Sequence, residues 1–278
     1  MQILLRGVSF AYRDSVPLLS DVGLRLGSGW TDVVGANGSG KTTLLRLVTR
    51  ALDPDQGSVH HEPRTLALRL CPQRVDEAGP EIEGLAATHD GVARRLRAEL
   101  SLRPDELSRW PTLSPGERKR WQIGTALATQ PDVLILDEPT NHLGAEARAV
   151  LVPVLERFTG IGVLVSHDRE LLDALSHETV RVAHGRATPY RGGYSAARDT
   201  WQHDEAATRA TRASLREATH ALERRIGERQ SEHKRAEALH AHERAHEGHP
   251  RQRRARSLQA DAKALRHDPA RPRDRAHA

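Results

Sequence analysis

The stretch GANGSGKTT at 35–43 restricts the fold more than any other part of the chain. It follows an apolar run ending at Val34 and precedes Leu44, Leu45, Leu47 and Val48, which recur at helical spacing. A glycine-rich turn between a strand and a helix lets the backbone wrap a phosphate with its N–H groups turned inward. Gly35, Ala36, Asn37, Gly38, Ser39, Gly40 and Thr43 belong to this loop. Lys41 is long enough to reach the β- and γ-phosphates, and the Thr42 hydroxyl suits Mg²⁺. The rest of the chain must then supply an α/β layered domain around the strand that feeds the loop.

The sequence supplies it as far as about residue 200. Short apolar runs read as strands at 3–10, 24–26, 32–34, 66–70, 133–136 and 162–165. Helices fit between them at 41–51, 115–129 and 146–157. Val133 to Leu136 is apolar throughout, as expected of a strand buried on both faces of a mostly parallel sheet. That run ends in two carboxylates, Asp137 and Glu138, with side chains facing different directions along an extended strand end. With a phosphate loop in the same chain, Asp137 suits Mg²⁺ and Glu138 suits a general base for water.

A second phosphate-seeking element lies in LSPGERKRWQ at 113–122. Its Ser-Pro-Gly-Glu turn opens a helix, with Pro115 in the first turn where a missing N–H costs nothing. A helix N-terminus favours an anion. Two such elements in one chain raise the question of which nucleotide the second one serves.

Composition changes after Trp201. Ala, Glu, Arg and His dominate, and apolar runs nearly vanish. Residues 203–278 carry 18 Lys and Arg against 12 Asp and Glu, so the net charge of +5 for the whole chain comes from this tail. Leu215, Leu222 and Ile226 fall on one helical face, and Ala255, Leu258, Ala262 and Leu265 on another, with Gly248 and Pro250 between. The expectation is a basic helical hairpin over 201–266 with its turn near 247–250, after a cassette at 1–200 and before a disordered tail at 267–278. Arg224–Arg225, Lys234–Arg235 and RQRRAR at 251–256 suit RNA phosphates, although a solvated charged helix explains them too. The tail has no aromatic residue after Trp201, so structured RNA fits better than stacked single strands. His242 and His246 have metal-ligand spacing but no cluster that closes a site. Cys71 is the only cysteine, which excludes an internal disulfide and fits a reducing cytoplasm. No run of 18 apolar residues suggests a membrane span, and Met1 to Gly7 does not read as a signal peptide.

Taken in order, these motifs resemble the ATP-binding cassette (ABC) ATPases over residues 1 to about 195. Tyr12 in VSFAYRD matches the aromatic that stacks on adenine. Gln73 in CPQ matches the glutamine that senses Mg²⁺ and the attacking water. LSPGE matches the signature, LDEPTNHL the catalytic strand and following loop, and His167 in VLVSHD the switch histidine on the γ-phosphate. Singly each has a plainer explanation: a strand aromatic, a surface amide, a strand-end histidine. The resemblance implies an α/β P-loop fold, ATP and Mg²⁺ as cofactors, and Thr42, Gln73 and Asp137 around the metal. It assigns catalysis to Glu138, His167 and Gln73. In this family the signature faces across a dimer, so Ser114, Gly116 and Glu117 would contact a nucleotide held by a second cassette, either a second copy or a separate chain.

The spelling LSPGERKRWQ, together with EPTNHL and YRGGYSAARDTWQ, is similar to the ABC-F subfamily. Those are soluble ATPases, many of which act on ribosomes, and antibiotic resistance by ribosome protection is one role among them. Their inter-domain linker resembles the basic tail in position, length and composition, implying contact with ribosomal RNA or tRNA through 203–266. Two departures stand out: Gly144 replaces an aspartate of the family, and the family's usual second cassette does not follow. A transporter subunit, or a cassette that binds ATP without hydrolysing it, are the competing readings.

Overall fold

The computed structural model describes residues 1–12, 16–140 and 144–264. In chain order the first half runs β1 (Gln2–Phe10), β2 (Leu19–Leu26), β3 (Gly29–Val34), α1 (Lys41–Val48), β4 (Gln56–Glu62), β5 (Leu68–Cys71), α2 (Pro80–Ala87) and α3 (Gly91–Glu99). A 3-10 segment (Pro104–Thr112) leads into α4 (Pro115–Ala128). Then come β6 (Val133–Asp137), α5 (Ala145–Glu156), β7 (Ile161–Val165), α6 (Arg169–Leu175), β8 (Ser176–Ala183), β9 (Arg186–Arg191) and α7 (Tyr194–Ala264).

The main sheet has the order β5-β6-β7-β3-β8-β9 and is parallel except where β9 returns against β8. A three-stranded antiparallel sheet, β2-β1-β4, lies apart from it. Strand β6 explains the layering. Its side chains alternate across the sheet, and both faces are covered. Val133 and Ile135 join one apolar cluster with α1 and the small sheet, while Leu134 and Leu136 join the other, built from the helices α2 to α6. Each of these side chains contributes roughly 1.5–3 kcal/mol by leaving water. Close approach is needed where β7 meets β3: a Cβ on Gly162 would lie 2.4 Å from the Trp30 ring. The Trp30 indole N–H donates to Leu155 O on α5 at 2.9 Å, tying that helix to the sheet.

The strands and helices expected in this region are present, with ends shifted by a few residues. β4, β8 and β9 were not expected, because their apolar residues are interrupted by His, Glu, Arg and Thr. α2, α3 and α6 are only seven to nine residues long, too short to display a helical period.

The chain divides into two compact units, Met1–Asp204 and one beginning at Glu205. Helix α7 departs from expectation. It is one helix of 71 residues, with no turn at 247–250, so the hairpin is replaced by a continuous rod. Gly248 costs a helix about 1 kcal/mol and Pro250 about 3 kcal/mol. The Ala, Glu and Arg around them are strong helix formers, and the helix carries through. The expected disordered tail at 267–278 and Leu265 lie outside the described residues. In the first unit, α7 starts on an aromatic cluster: Trp201 meets Tyr190 and Tyr194 edge-on at 5.6 and 5.8 Å, and Arg181 lies over its ring at 5.2 Å. Ser195 donates from its backbone N–H and its hydroxyl to the two Asp173 oxygens, at 2.7 and 2.5 Å. Among the described residues, no helix is long and apolar enough to cross a membrane.

Strand β3 carries a buried carboxyl, Asp32, which accepts from the Ser176 hydroxyl and leaves Oδ2 without a partner. Burial pushes its pKa up to about 8; the Ser176 bond opposes this and the Asp173 charge adds to it. An unfolded aspartate ionises near ~3.9. Between those values the folded state binds more protons than the unfolded state, so stability falls as pH rises. Asp32→Asn should therefore melt above the wild type near about pH 7.5 and converge with it toward about pH 4. Thermal unfolding across that range is the measurement, and a gap that does not depend on pH would contradict it.

Candidate active site

The carboxyl ends of the parallel strands β3, β5, β6 and β7 open on one crevice, the usual place for a ligand in an open α/β sheet. There lies a cavity of about 850 Å³, lined by Tyr12, Asn37, Gly38, Gly40, Lys41, Thr42, Thr43, Gln73, Asp137, Glu138 and His167 among others. The structure thus brings together residues drawn from five separate stretches of sequence. Gly35, Ala36 and Ser39 complete the loop but do not line the cavity.

The loop has the backbone its glycines permit. Gly40, at φ +106°, ends it as the residue before α1, a left-handed conformation that side chains resist. A Cβ on Gly35 would lie 2.3 Å from Val182 O, so only glycine fits against β8. Lys41 Nζ donates to Gly35 O at 2.9 Å and Ala36 O at 3.1 Å, lying back along its own loop. Tyr12 is 58% exposed; its ring stands edge-on to Phe10, and its hydroxyl lies 3.1 Å from Thr43 Oγ1.

At the end of β6, Glu138 has φ +47°, an unusual backbone for a residue with a side chain, costing about 1–3 kcal/mol. The bond from its N–H to Val165 O at 2.7 Å holds that turn. Burial raises the Glu138 carboxyl above the ordinary range, and His167 opposes the shift. His167 brackets it, with Nε2 at 3.3 Å from Oε1 and the backbone N–H donating to Oε2 at 3.3 Å. Asp137 is also raised by burial, with Lys119 and then Lys41 opposing.

Sequence reasoning missed Thr140, Arg148 and Asp168, which share the cavity wall. Arg148 Nη1 pairs with Asp168 Oδ2 at 3.0 Å, and Asp168 caps α6 by accepting from the Leu171 N–H. The Asp168 N–H donates to Ser166 Oγ at 3.0 Å, and Ser166 lies 3.3 Å from Thr140 Oγ1. The loop that carries His167 is therefore pinned from β6 and α5. Asp168 advertises itself as a helix cap, but nothing local to Arg148 shows what it faces.

Ser114, Gly116 and Glu117 do not line this cavity. Ser114 and Glu117 form a capping box at the start of α4: Ser114 N–H donates to Glu117 Oε2 at 2.7 Å, and Glu117 N–H donates to Ser114 Oγ at 3.2 Å. The Ser114 hydrogen bonds hold the Glu117 pKa below the ordinary range. Ser114→Ala should cost about 1 kcal/mol at neutral pH. The deficit should shrink in acid as Glu117 gains its proton, because a depressed carboxyl stabilises only above its folded pKa. Urea unfolding at two pH values reads both effects.

The donor set fits the group that the loop implies. The Thr42 hydroxyl, the Gln73 amide oxygen and the Asp137 carboxylate are hard oxygen ligands suited to Mg²⁺. Among the described residues, no cluster of three or more His, Cys, Asp or Glu suggests another metal.

Comparison with known proteins bears on the fold and the family. Residues 19–141 match the family model described as ABC transporter. An uncharacterized ABC transporter ATP-binding protein of Schizosaccharomyces pombe is 33% identical over 198 residues, 68% of this chain and 27% of its own. The erythromycin resistance ATP-binding protein MsrA of Staphylococcus epidermidis is 29% identical, over 58% of this chain and 32% of its own. The energy-dependent translational throttle protein EttA of Escherichia coli K12 is 32% identical, over 59% of this chain and 38% of its own. The chain thus spans between about a quarter and two-fifths of the length of these relatives. The crystal structure of a nucleotide-free ATP-binding cassette from an ABC transporter shares the fold, with a TM-score of 0.58 at 19% identity, covering 69% of this chain and 92% of that one. On this fold, residues 19–141 form an ATP-binding cassette of the ABC type, and the chain has ABC-F proteins among its relatives.

Proposed function

We propose that this chain is an ABC-F type ATPase that hydrolyses ATP in the cytoplasm and acts on the ribosome. The observation that carries the hydrolytic part is the bracketed Glu138, a half-buried carboxylate at the cavity wall beside Asp137 and within 3.3 Å of His167. Burial raises its proton affinity, which suits a general base for water. Lys41 and the loop N–H groups bind the phosphates of ATP, and Tyr12 offers an exposed ring face to the base. Thr42, Gln73 and Asp137 hold Mg²⁺, which neutralises phosphate charge when bound. His167 moves from Glu138 to the γ-phosphate oxygens and stabilises charge there. The start of α4, outside the cavity, is left to serve the nucleotide of a second cassette, so turnover requires a dimer with another copy or another chain.

The ribosomal part rests on the relatives named for translation and erythromycin resistance. It rests also on the basic segment 203–266, which we read as the contact to ribosomal RNA or tRNA. Glu138→Gln should bind ATP, fail to turn it over, and sediment with ribosomes in its presence. Raising salt from about 50 to 200 mM should release it, as phosphate contacts require. A variant that stays in the supernatant at low salt overturns the ribosomal reading while leaving the ATPase reading intact. Gly144 precedes α5 with no side-chain cap, and a Cβ there would meet nothing within 4 Å. Gly144→Asp should stabilise the helix by only a few tenths of a kcal/mol. A concurrent rise in ATP turnover, measured by phosphate release, would identify Gly144 as a brake on coupling between the two sites.

A further inference from the structure

Lys119 does not line the cavity, yet it is the one buried lysine or arginine among the described residues. Burying an ammonium is costly unless it is hydrogen-bonded. Lys119 Nζ donates to Pro72 O at 2.5 Å and to Gln122 Oε1 at 3.0 Å, with no carboxylate in salt-bridge contact. Burial draws its pKa down to about 8, while the Cys71, Asp137 and Glu138 side chains face it and favour the charge. An apolar side chain of the same length would fill this volume at lower cost, so stability alone does not account for a lysine here.

Its two ends do. Lys119 lies on α4, two residues past Glu117 of the capping box. The carbonyl it grips belongs to the residue immediately before Gln73, a residue of the cavity wall. A shift of α4 along its axis therefore pulls on the Gln73 loop, and a shift of that loop pulls on α4. We propose that Lys119 is a positioning residue that couples the signature turn at the start of α4 to the Gln73 loop, so that occupancy of one nucleotide site is felt at the surface presented to the other. The inference rests on the reading of the cavity as a nucleotide site, but not on hydrolysis.

Hydrogen exchange of the full chain with and without Mg-ATP, at a concentration where light scattering finds monomer, reads this coupling directly. In the wild type, Mg-ATP should slow exchange in both Lys41–Val48 and Pro115–Ala128. Lys119→Met should keep the first response and lose the second. Lys119→Gln, which retains a donor, should restore it. ATP turnover of Lys119→Met should fall about two- to thirtyfold at unchanged KM, as expected when a relay between sites is cut, with a melting temperature equal to or above that of the wild type. The proposal is overturned if Lys119→Met keeps the α4 response, or if α4 of the wild type does not respond. It is also overturned if Lys119→Met loses the Lys41–Val48 response together with its melting temperature, which would mark a folding role. A wild type that shows the α4 response without hydrolysis refutes the ATPase reading and leaves the coupling standing.

Discussion

The cassette depends on a strand with no exposed face that must end in charge. Val133 to Leu136 are fully buried, which forces the sheet to be covered on both sides and fixes the layers. The next two residues are carboxylates at the edge of that apolar core. Desolvation opposes their ionisation, so the surroundings must return favourable electrostatics. Lys41 supplies charge from the loop at the end of β3, His167 from the end of β7, and Lys119 from α4. The site is therefore a consequence of the sheet order: β6 and β3 both neighbour β7, which brings the carboxylates and the phosphate loop to the same edge.

Asp32 shows what happens to a carboxyl in the same sheet without such company. It lies within β3 rather than at its end, and the groups that favour its charge are neutral hydroxyls, those of Ser176 and Thr179. Burial pushes its pKa up to about 8, whereas at Asp137 the Lys119 and Lys41 charges oppose the upward push of burial. Position along the strand decides which groups can oppose the cost of burying a carboxyl.

Legibility from sequence followed the same division between local and distant. The phosphate loop was readable because its conformation is set by its own glycines, and β6 because four consecutive apolar residues can satisfy only a two-sided burial. The Ser114–Glu117 turn was readable as a helix start, though its capping box uses the two side chains that the resemblance assigns to a partner's nucleotide. Arg148 and Lys119 were not readable. Their significance comes from groups 20 and 47 positions away, and a lone basic residue on a helix gives no sign of what it faces. The hairpin failed for a different reason. Gly248 and Pro250 are helix breakers by propensity, but propensity is a cost of a few kcal/mol, and a long run of good helix formers on either side outweighs it.

That outcome changes what the tail asks of its surroundings. A hairpin would bury its apolar seam against itself. In a single helix, Leu215, Leu222 and Ile226 remain 61%, 59% and 48% exposed, spaced seven and four apart on one face. Helices of this composition are stabilised chiefly by their own ladder and by pairs such as His233 with Glu237, each worth only a few tenths of a kcal/mol. The first turns are different: Tyr194, Ala197 and Trp201 are packed into the first unit and nucleate the helix there, which removes the costly initiation step. Stability along α7 therefore falls with distance from Trp201.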